Sequence, residues 1–357
     1  MTRVLVVDQE LPHEHRDGGA ARMVAMLRLL RAEGHDISFA SLGHRPSTSG
    51  GAADRLCELG IEVVTRGAED WIRDEGHAVD VVIASRLPVA QAMLPATRRH
   101  CRDARFLYDA THVEYLAKFR LAKLTRNQPL LTAALGDRSA ERHVVAGADA
   151  VVAASDEDAD ELRKLDSSAA VHVVTAAHAT CDSGDLSAAP RTGILFLGFF
   201  GMLENELAAR RLIDRVWPII EARAGPTPLT VIGDRPPDWL RDAAAQRQRL
   251  TVTGLVDDVD PMLRSAAALL VPLSGGSGIK TKVLHAFSRY LPVIATADGL
   301  RGVPAEHGVH VLRGESDAEL AEATAAVLTN QKIGRDLARR AAAVASASSA
   351  SDSPRKT

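Results

Sequence analysis

Short runs of Val, Leu and Ile recur along this chain between longer stretches whose apolar residues fall at helical spacing. In the first half the runs are Val4 to Val7, Ile37 to Ala40, Val79 to Ala84, Phe106 to Tyr108, Ala150 to Ala153 and Val171 to Val174. Near-continuous apolar runs of this length predict strands covered on both faces, and their alternation with helices predicts a parallel sheet. Residues 181–192, CDSGDLSAAPRT, carry no such period and are rich in Ser, Asp and Ala, which predicts a linker. The alternation then starts afresh with Ile194 to Leu197, Leu229 to Ile232, Leu250 to Val252, Ala268 to Val271 and Val293 to Ala295. The expected organisation is α/β: a doubly wound domain over residues 1–180, the linker, a second over 193–342, and a disordered tail over 343–357. The tail is inferred because no large apolar residue follows Val344, leaving little surface to offset the entropy of ordering.

Two domains suit a length of 357 residues. Lys and Arg total 43 against 46 Asp and Glu, and aromatics are only 4%, so neither a basic field nor a set of stacking rings is present for a nucleic-acid partner. Cys57, Cys101 and Cys181 are widely spaced without a CxxC, which fits a reduced compartment and offers no zinc framework. The absence of a signal-peptide pattern or of about 18 consecutive apolar residues gives the expectation of a cytoplasmic protein.

Candidate chemistry is concentrated in Pro272 to Ala286, PLSGGSGIKTKVLHA, where a buried strand ends in a Gly/Ser loop leading into a helix expected over Ile279 to Tyr290. Glycines let the backbone approach a ligand, free N–H groups at a helix start attract an anion, and a lysine adds a full counter-charge. The stretch reads as a phosphate or diphosphate cradle; a plain glycine turn with solvated lysines is the alternative. The spacing is not that of a Walker loop, and no GxGxxG follows the first strand of either half, so ATP hydrolysis and hydride transfer are disfavoured.

The segment GSGIKTKVLHAFSRYLPVIATADGLRGV resembles the donor-binding segment of family 4 glycosyltransferases, which have the GT-B fold. The resemblance extends to ILFLGFFGMLENELAARRLIDRVWPII, LTVIGD and VTGLVDDVDPMLRSAAALLVPL. It reaches the first half more loosely through VLVVDQELPHEHRDGGAARMVAMLRLLRAEGHDISF, YDATHVEYLAKFRLAKL and ADAVVAAS. It implies two Rossmann-like domains facing an interdomain cleft. The implied reaction moves a sugar from a nucleotide diphosphate sugar with retention of configuration, with the donor as co-substrate and no cofactor or essential metal.

Carried over residue by residue, the resemblance makes Gly276, Ser277, Gly278, Lys280 and Lys282 the donor diphosphate loop. Gly18 and Gly19, flanked by Arg16, Asp17 and Arg22, become the glycine-rich loop of the acceptor domain. Asp109 and His112 lie after the strand Phe106 to Tyr108, where the family sets a loop beside the donor sugar, and with Lys280 they are the catalytic candidates. Related sequences carry an acid and then a histidine where this chain has His112 and Glu114, so the two roles are open to exchange. The loop Gly254 to Asp258, including Val256 and Asp257, corresponds to the nucleobase region. Glu204 and Asn205 flank the donor or cap a helix.

His285 stands where the family has a ribose-holding glutamate, and Ser277 where it has an earlier one. That departure motivates a second reading, a degenerate GT-B protein that binds a nucleotide sugar or a partner without catalysis. A third, a sugar-nucleotide epimerase, is disfavoured because the matching segments are those of transferases. His13 and His15 lack a third ligand for a metal, and His178 reads as structural or as part of the domain junction. The basic stretch Lys118 to Arg126 is either a solvated helix face or a weak contact with a membrane surface, in which case the protein would sit at the inner face of the membrane.

Overall fold

The computed structural model describes residues 1–13, 18–42, 51–175 and 191–350, with side chains through residue 346. The chain divides into two compact units, the first built from residues 1–13 and 19–175 and the second from 191 onward, with Gly18, at the start of the first helix, grouped with the second.

The first unit runs β1 (Arg3–Asp8), α1 (Gly18–Ala32), β2 (Asp36–Ser41), α2 (Gly51–Glu58), β3 (Glu62–Val63), α3 (Ala68–Glu75), β4 (Val81–Ser85) and α4 (Leu87–His100). It continues with β5 (Arg105–Ala110), α5 (Glu114–Thr125), α6 (Gln128–Gly147), β6 (Ala150–Ala153), α7 (Asp156–Leu165) and β7 (Val171–Val173). All neighbouring strands pair in parallel, in the order β3-β2-β1-β4-β5-β6-β7. The apolar runs are strands because helices cover both faces: Leu5, Phe39, Phe106 and Tyr108 are wholly buried.

The second unit runs β8 (Ile194–Leu197), α8 (Leu203–Arg211), α9 (Trp217–Ala224), β9 (Leu229–Ile232), α10 (Asp238–Gln246), β10 (Leu250–Val252), α11 (Asp260–Ser265) and β11 (Ala268–Val271). Then come α12 (Thr281–Ser288), β12 (Val293–Ala295), β13 (Leu312–Arg313), α13 (Asp317–Thr329) and α14 (Gln331–Ala350). A π-turn over Leu212–Val216 joins α8 to α9. The sheet is again parallel, in the order β10-β9-β8-β11-β12-β13, with Phe196, Leu269, Leu270 and Phe287 at its core. Both units are therefore doubly wound, Rossmann-like domains.

Three features differ from the sequence reading. The edge strands β3 and β13 are two residues each and partly exposed, so neither leaves an apolar run to detect. Helix α12 begins at Thr281 and ends at Ser288, because Lys280 is its non-helical cap, with ψ 75°, and Tyr290 has a left-handed φ of 51°. The expected disordered tail from residue 343 is instead helical to Ala350. Alanine has the highest helix propensity, and Ala341 and Ala345, one turn apart, are buried on the second core. Residues 351–357 and most of the expected linker, 181–190, lie outside the described residues.

Candidate functional site

In each sheet the chain reverses direction beside its first strand, between β1 and β4 in the first domain and between β8 and β11 in the second. Loops leaving the carboxyl ends of such a strand pair splay apart, and ligands of open α/β sheets bind in the crevice this creates.

At the second domain's reversal two loops meet, 198–202 leading into α8 and 272–280 leading into α12. The latter turns on left-handed glycines, among them Gly276 at φ 87° and Gly278 at φ 72°, conformations that a side chain would strain. A β-carbon on Gly276 would lie 3.3 Å from Glu204 Oε1 and 3.5 Å from Lys280 Nζ, so a carboxylate and an ammonium face one backbone position. Lys280 is only 7% exposed, and its Nζ donates to the Ser277 carbonyl at 2.8 Å. Ser277 is itself buried. Lys282, half-buried, donates to the Leu197 carbonyl at the end of β8 and, at 2.9 Å, to Asn205 Oδ1. Burial, with help from the charge of Lys280 and against that of Glu204, pulls the Lys282 pKa down to about 7.

Neighbouring chain fixes this loop. Asp298 accepts the Gly275 N–H at 2.7 Å, Thr296 Oγ1 donates to the Leu273 carbonyl at 2.6 Å, and the Arg301 carbonyl accepts the Lys280 N–H at 3.1 Å. Gly302, at φ 72°, lies so close that a β-carbon there would sit 2.9 Å from Ile279 Cα. From α8, Arg211 reaches Asp317 at 2.6 Å and the Pro272 carbonyl and Ser274 hydroxyl at 3.4 Å each. Asn205 donates to the Phe199 carbonyl at 2.9 Å and so orders the other loop.

The residues expected at the nucleoside come from the loop after β10 and from α12. Val256 is half-buried against the core and Asp257 is exposed, both in the loop after β10. His285 Nε2 hydrogen-bonds Asp260 Oδ1 at 2.8 Å, while Asp260 Oδ2 accepts from Arg289 Nε at 2.7 Å. The His285 hydrogen bond, with Arg289 behind it and against burial, holds Asp260 down to about 2. Asp260 went unseen in the sequence, where it reads as an ordinary acid before the helix-starting Pro261.

In the first domain Gly18 and Gly19 open α1, and Arg16, Asp17 and His15 lie outside the described residues, as does His178. Asp109 is fully buried. It pairs with Arg22 Nη1 at 2.5 Å and accepts from Ser85 Oγ at 3.1 Å, which makes it a strut between β4, β5 and α1. Its Oδ1 is engaged by Arg22 and its Oδ2 by Ser85. Beside it Asp8 accepts from Arg86 Nε at 3.0 Å; burial raises the Asp8 pKa against the pull of Arg86.

His112 stands on the loop after β5, 14% exposed, with Nε2 2.8 Å from Glu114 Oε2 and Nδ1 3.2 Å from Thr111 Oγ1. Burial opposes its charge, but the hydrogen bond and charge of Glu114 prevail and raise its pKa. Burial likewise opposes the Glu114 carboxylate, yet His112 and Lys118 together hold it down to about 2. The structure thus brings His112 and Glu114 together as a pair.

In the stretch Lys118 to Arg126, Lys118 meets Asp137 at 2.5 Å and Arg120 meets Glu157 at 2.9 Å, while Leu124 is 51% exposed. Among the described residues no helix is long and apolar enough to cross a membrane, and no group of three or more His, Cys, Asp or Glu is placed to hold a metal ion.

Two Rossmann-like domains in one chain are the architecture of the GT-B fold. Residues 193–330, which include the glycine-lysine loop, match the family model of glycosyl transferases group 1. HepE of Anabaena, solved in complex with UDP and glucose, is similar in fold, with a TM-score of 0.71, 15% identity, and 97% of this chain and 95% of that one covered. Sucrose-phosphate synthase from Thermosynechococcus elongatus gives 0.71 at 13% identity, covering 97% and 94%. A glycosyltransferase from Rickettsia africae gives 0.68 at 15%, covering 97% and 94%. No curated protein matches the sequence.

Proposed function

We propose that this protein is a retaining glycosyltransferase that takes a sugar from a nucleotide diphosphate sugar, without a metal, and passes it to an acceptor such as a glycan, a lipid-linked sugar or a small molecule. The observation that carries the reading is the left-handed glycine loop with Lys280 and Lys282 at the reversal point of a group 1 glycosyl transferase domain. Breaking a glycosyl–phosphate bond leaves an anionic nucleoside diphosphate, and its growing charge must be met by preorganised donors. The start of α12 offers backbone N–H groups and Lys280 offers a full charge. His112, with a nitrogen that can donate or accept, would contact a hydroxyl of the sugar. Activity in the cytoplasm, with weak attachment to an anionic membrane surface through residues 118–126, completes the reading.

The test is a thermal-shift panel of nucleoside diphosphate sugars followed by product NMR with the best binder. Preserved anomeric configuration in chelator-treated enzyme supports the proposal. Inversion, or loss of activity in chelator with rescue by a divalent ion, overturns it. The hold of Asp260 on His285 favours one alternative, a binder without turnover, which donor binding with no product under any acceptor would indicate.

A further inference from the structure

Helix α5 begins without a cap of its own. Its N-cap residue is Val113, whose side chain accepts nothing, so the first backbone N–H groups lack a partner from the local sequence. The missing partner comes from the middle of α6. Glu141 is wholly buried, and its Oε1 accepts from the Tyr108 hydroxyl at 2.9 Å and from the Glu114 N–H at 3.3 Å. Its Oε2 accepts from the Tyr115 N–H at 3.3 Å. One carboxylate therefore ties β5 to the start of α5, on either side of the loop that carries His112.

We propose that Glu141 is the positioning residue of the His112–Glu114 pair, clamping the first turn of α5 so that the imidazole keeps the orientation it uses on substrate. A negative charge at a helix start also interacts favourably with the helix dipole, which a neutral acid does less well. Burial pushes the Glu141 pKa up to about 7, against the hydrogen bonds from Tyr115, Tyr108 and Glu114. Its folded pKa thus lies above the ordinary value, so the clamp is fully charged only above neutrality and weakens as the pH falls through about 7. The charged and titratable groups around it are Tyr108 on β5, His112 on the loop, Glu114, Tyr115 and Lys118 on α5, and Asp137 one turn earlier on α6. Arg86, after β4, opposes the charge of His112.

The inference rests on the proposed role of His112 for its catalytic half only. Glu141→Gln keeps the shape and one acceptor but is neutral at every pH. By NMR of the imidazole in the full chain, the His112 midpoint should fall, since a buried charge that favours the protonated ring is gone. That arm needs no turnover, so failure of the glycosyltransferase reading leaves it intact. In assays with the best donor of the panel, kcat should fall on the order of tenfold with donor KM within about twofold, and the acid limb near pH 7 should disappear. If the Gln variant does not fold, Tyr108→Phe removes one hydrogen bond to the carboxylate and should move the acid limb upward. An unchanged His112 midpoint in folded Glu141→Gln, or an acid limb unmoved in both variants, overturns the proposal.

Discussion

Lys282 offers the sharpest test of the donor site, because its pKa is held at about 7 by burial and by Lys280, within reach of a buffer experiment. With a pKa of about 7, about a tenth of the ammonium is charged at pH 8. A bound diphosphate diester, carrying two negative charges beside it, would favour the protonated form and lift that pKa to about 9 or above, leaving about nine-tenths charged. Binding at pH 8 should therefore take up about 0.8 of a proton. At pH 6 the free lysine is already about nine-tenths charged, so uptake should shrink to about 0.1. Calorimetry of a nucleotide sugar such as UDP-glucose, in buffers of different ionisation enthalpy, measures this directly, and the ligand itself does not titrate near neutrality. Lys282→Met should abolish the uptake at pH 8 while also leaving the Leu197 carbonyl and Asn205 Oδ1 without their donor. Equal uptake in the wild type and in Lys282→Met, or none in the wild type, would refute the placement of the diphosphate beside this ammonium.

Lys280→Ala should weaken nucleoside diphosphate binding by about 1.5 to 3 kcal/mol while leaving nucleoside binding within a few tenths, as read by calorimetry with each ligand. Equal weakening of both would remove the charge assignment. Gly302→Ala should lower stability by about 2 kcal/mol or more in denaturant melts, because a left-handed alanine would also press on Ile279 Cα, and donor affinity should fall with the displaced loop. His285→Glu, which restores the residue type expected from the family resemblance, should not improve donor binding, since it sets a second carboxylate against Asp260 at the 2.8 Å position. Because the Asp260 pKa is lowered, its contribution is complete above about pH 4 and lost as the pH falls through about 2. His285→Ala should therefore lower stability above about pH 4 by about 1 kcal/mol after solvent screening, and so move acid unfolding to higher pH.

The central strands were legible because burial on both faces writes itself into composition: β1 and β11 are almost continuously apolar and almost entirely buried. The edge strands β3 and β13 were not. They pair with one neighbour, bury little, and are specified by the crossovers before them rather than by their own residues. Helix α14 was cut short for a related reason: large apolar residues are the usual mark of a packed face, whereas Ala341 and Ala345 approach the core through the absence of bulk.

For the site, what could be read was what the backbone needs locally. A glycine run after a buried strand and before a helix announces left-handed turns at a strand end, and the lysines beside it announce charge, so Gly276, Gly278, Lys280 and Lys282 could be assembled from one stretch of chain. What could not be read were the partners supplied from far along the sequence. Asp109 looks like a loop acid until Arg22 closes on it from α1, 87 positions away. His285 looks like a free substitution for glutamate until Asp260 meets it from α11. Glu141 has no local signature at all, since a carboxylate in a long polar helix reads as solvent-facing, and only the apolar Val113 at the start of α5 leaves a vacancy that something must fill. The physical asymmetry is general to this fold. Turn chemistry is set within a few residues, whereas buried charges such as Asp109 and Glu141 are satisfied by tertiary neighbours, because desolvation makes an unpaired one too costly to keep. The groups with perturbed ionisation here, Lys282, Glu141 and the His112–Glu114 pair, are therefore the ones whose roles depend most on the assembled domain.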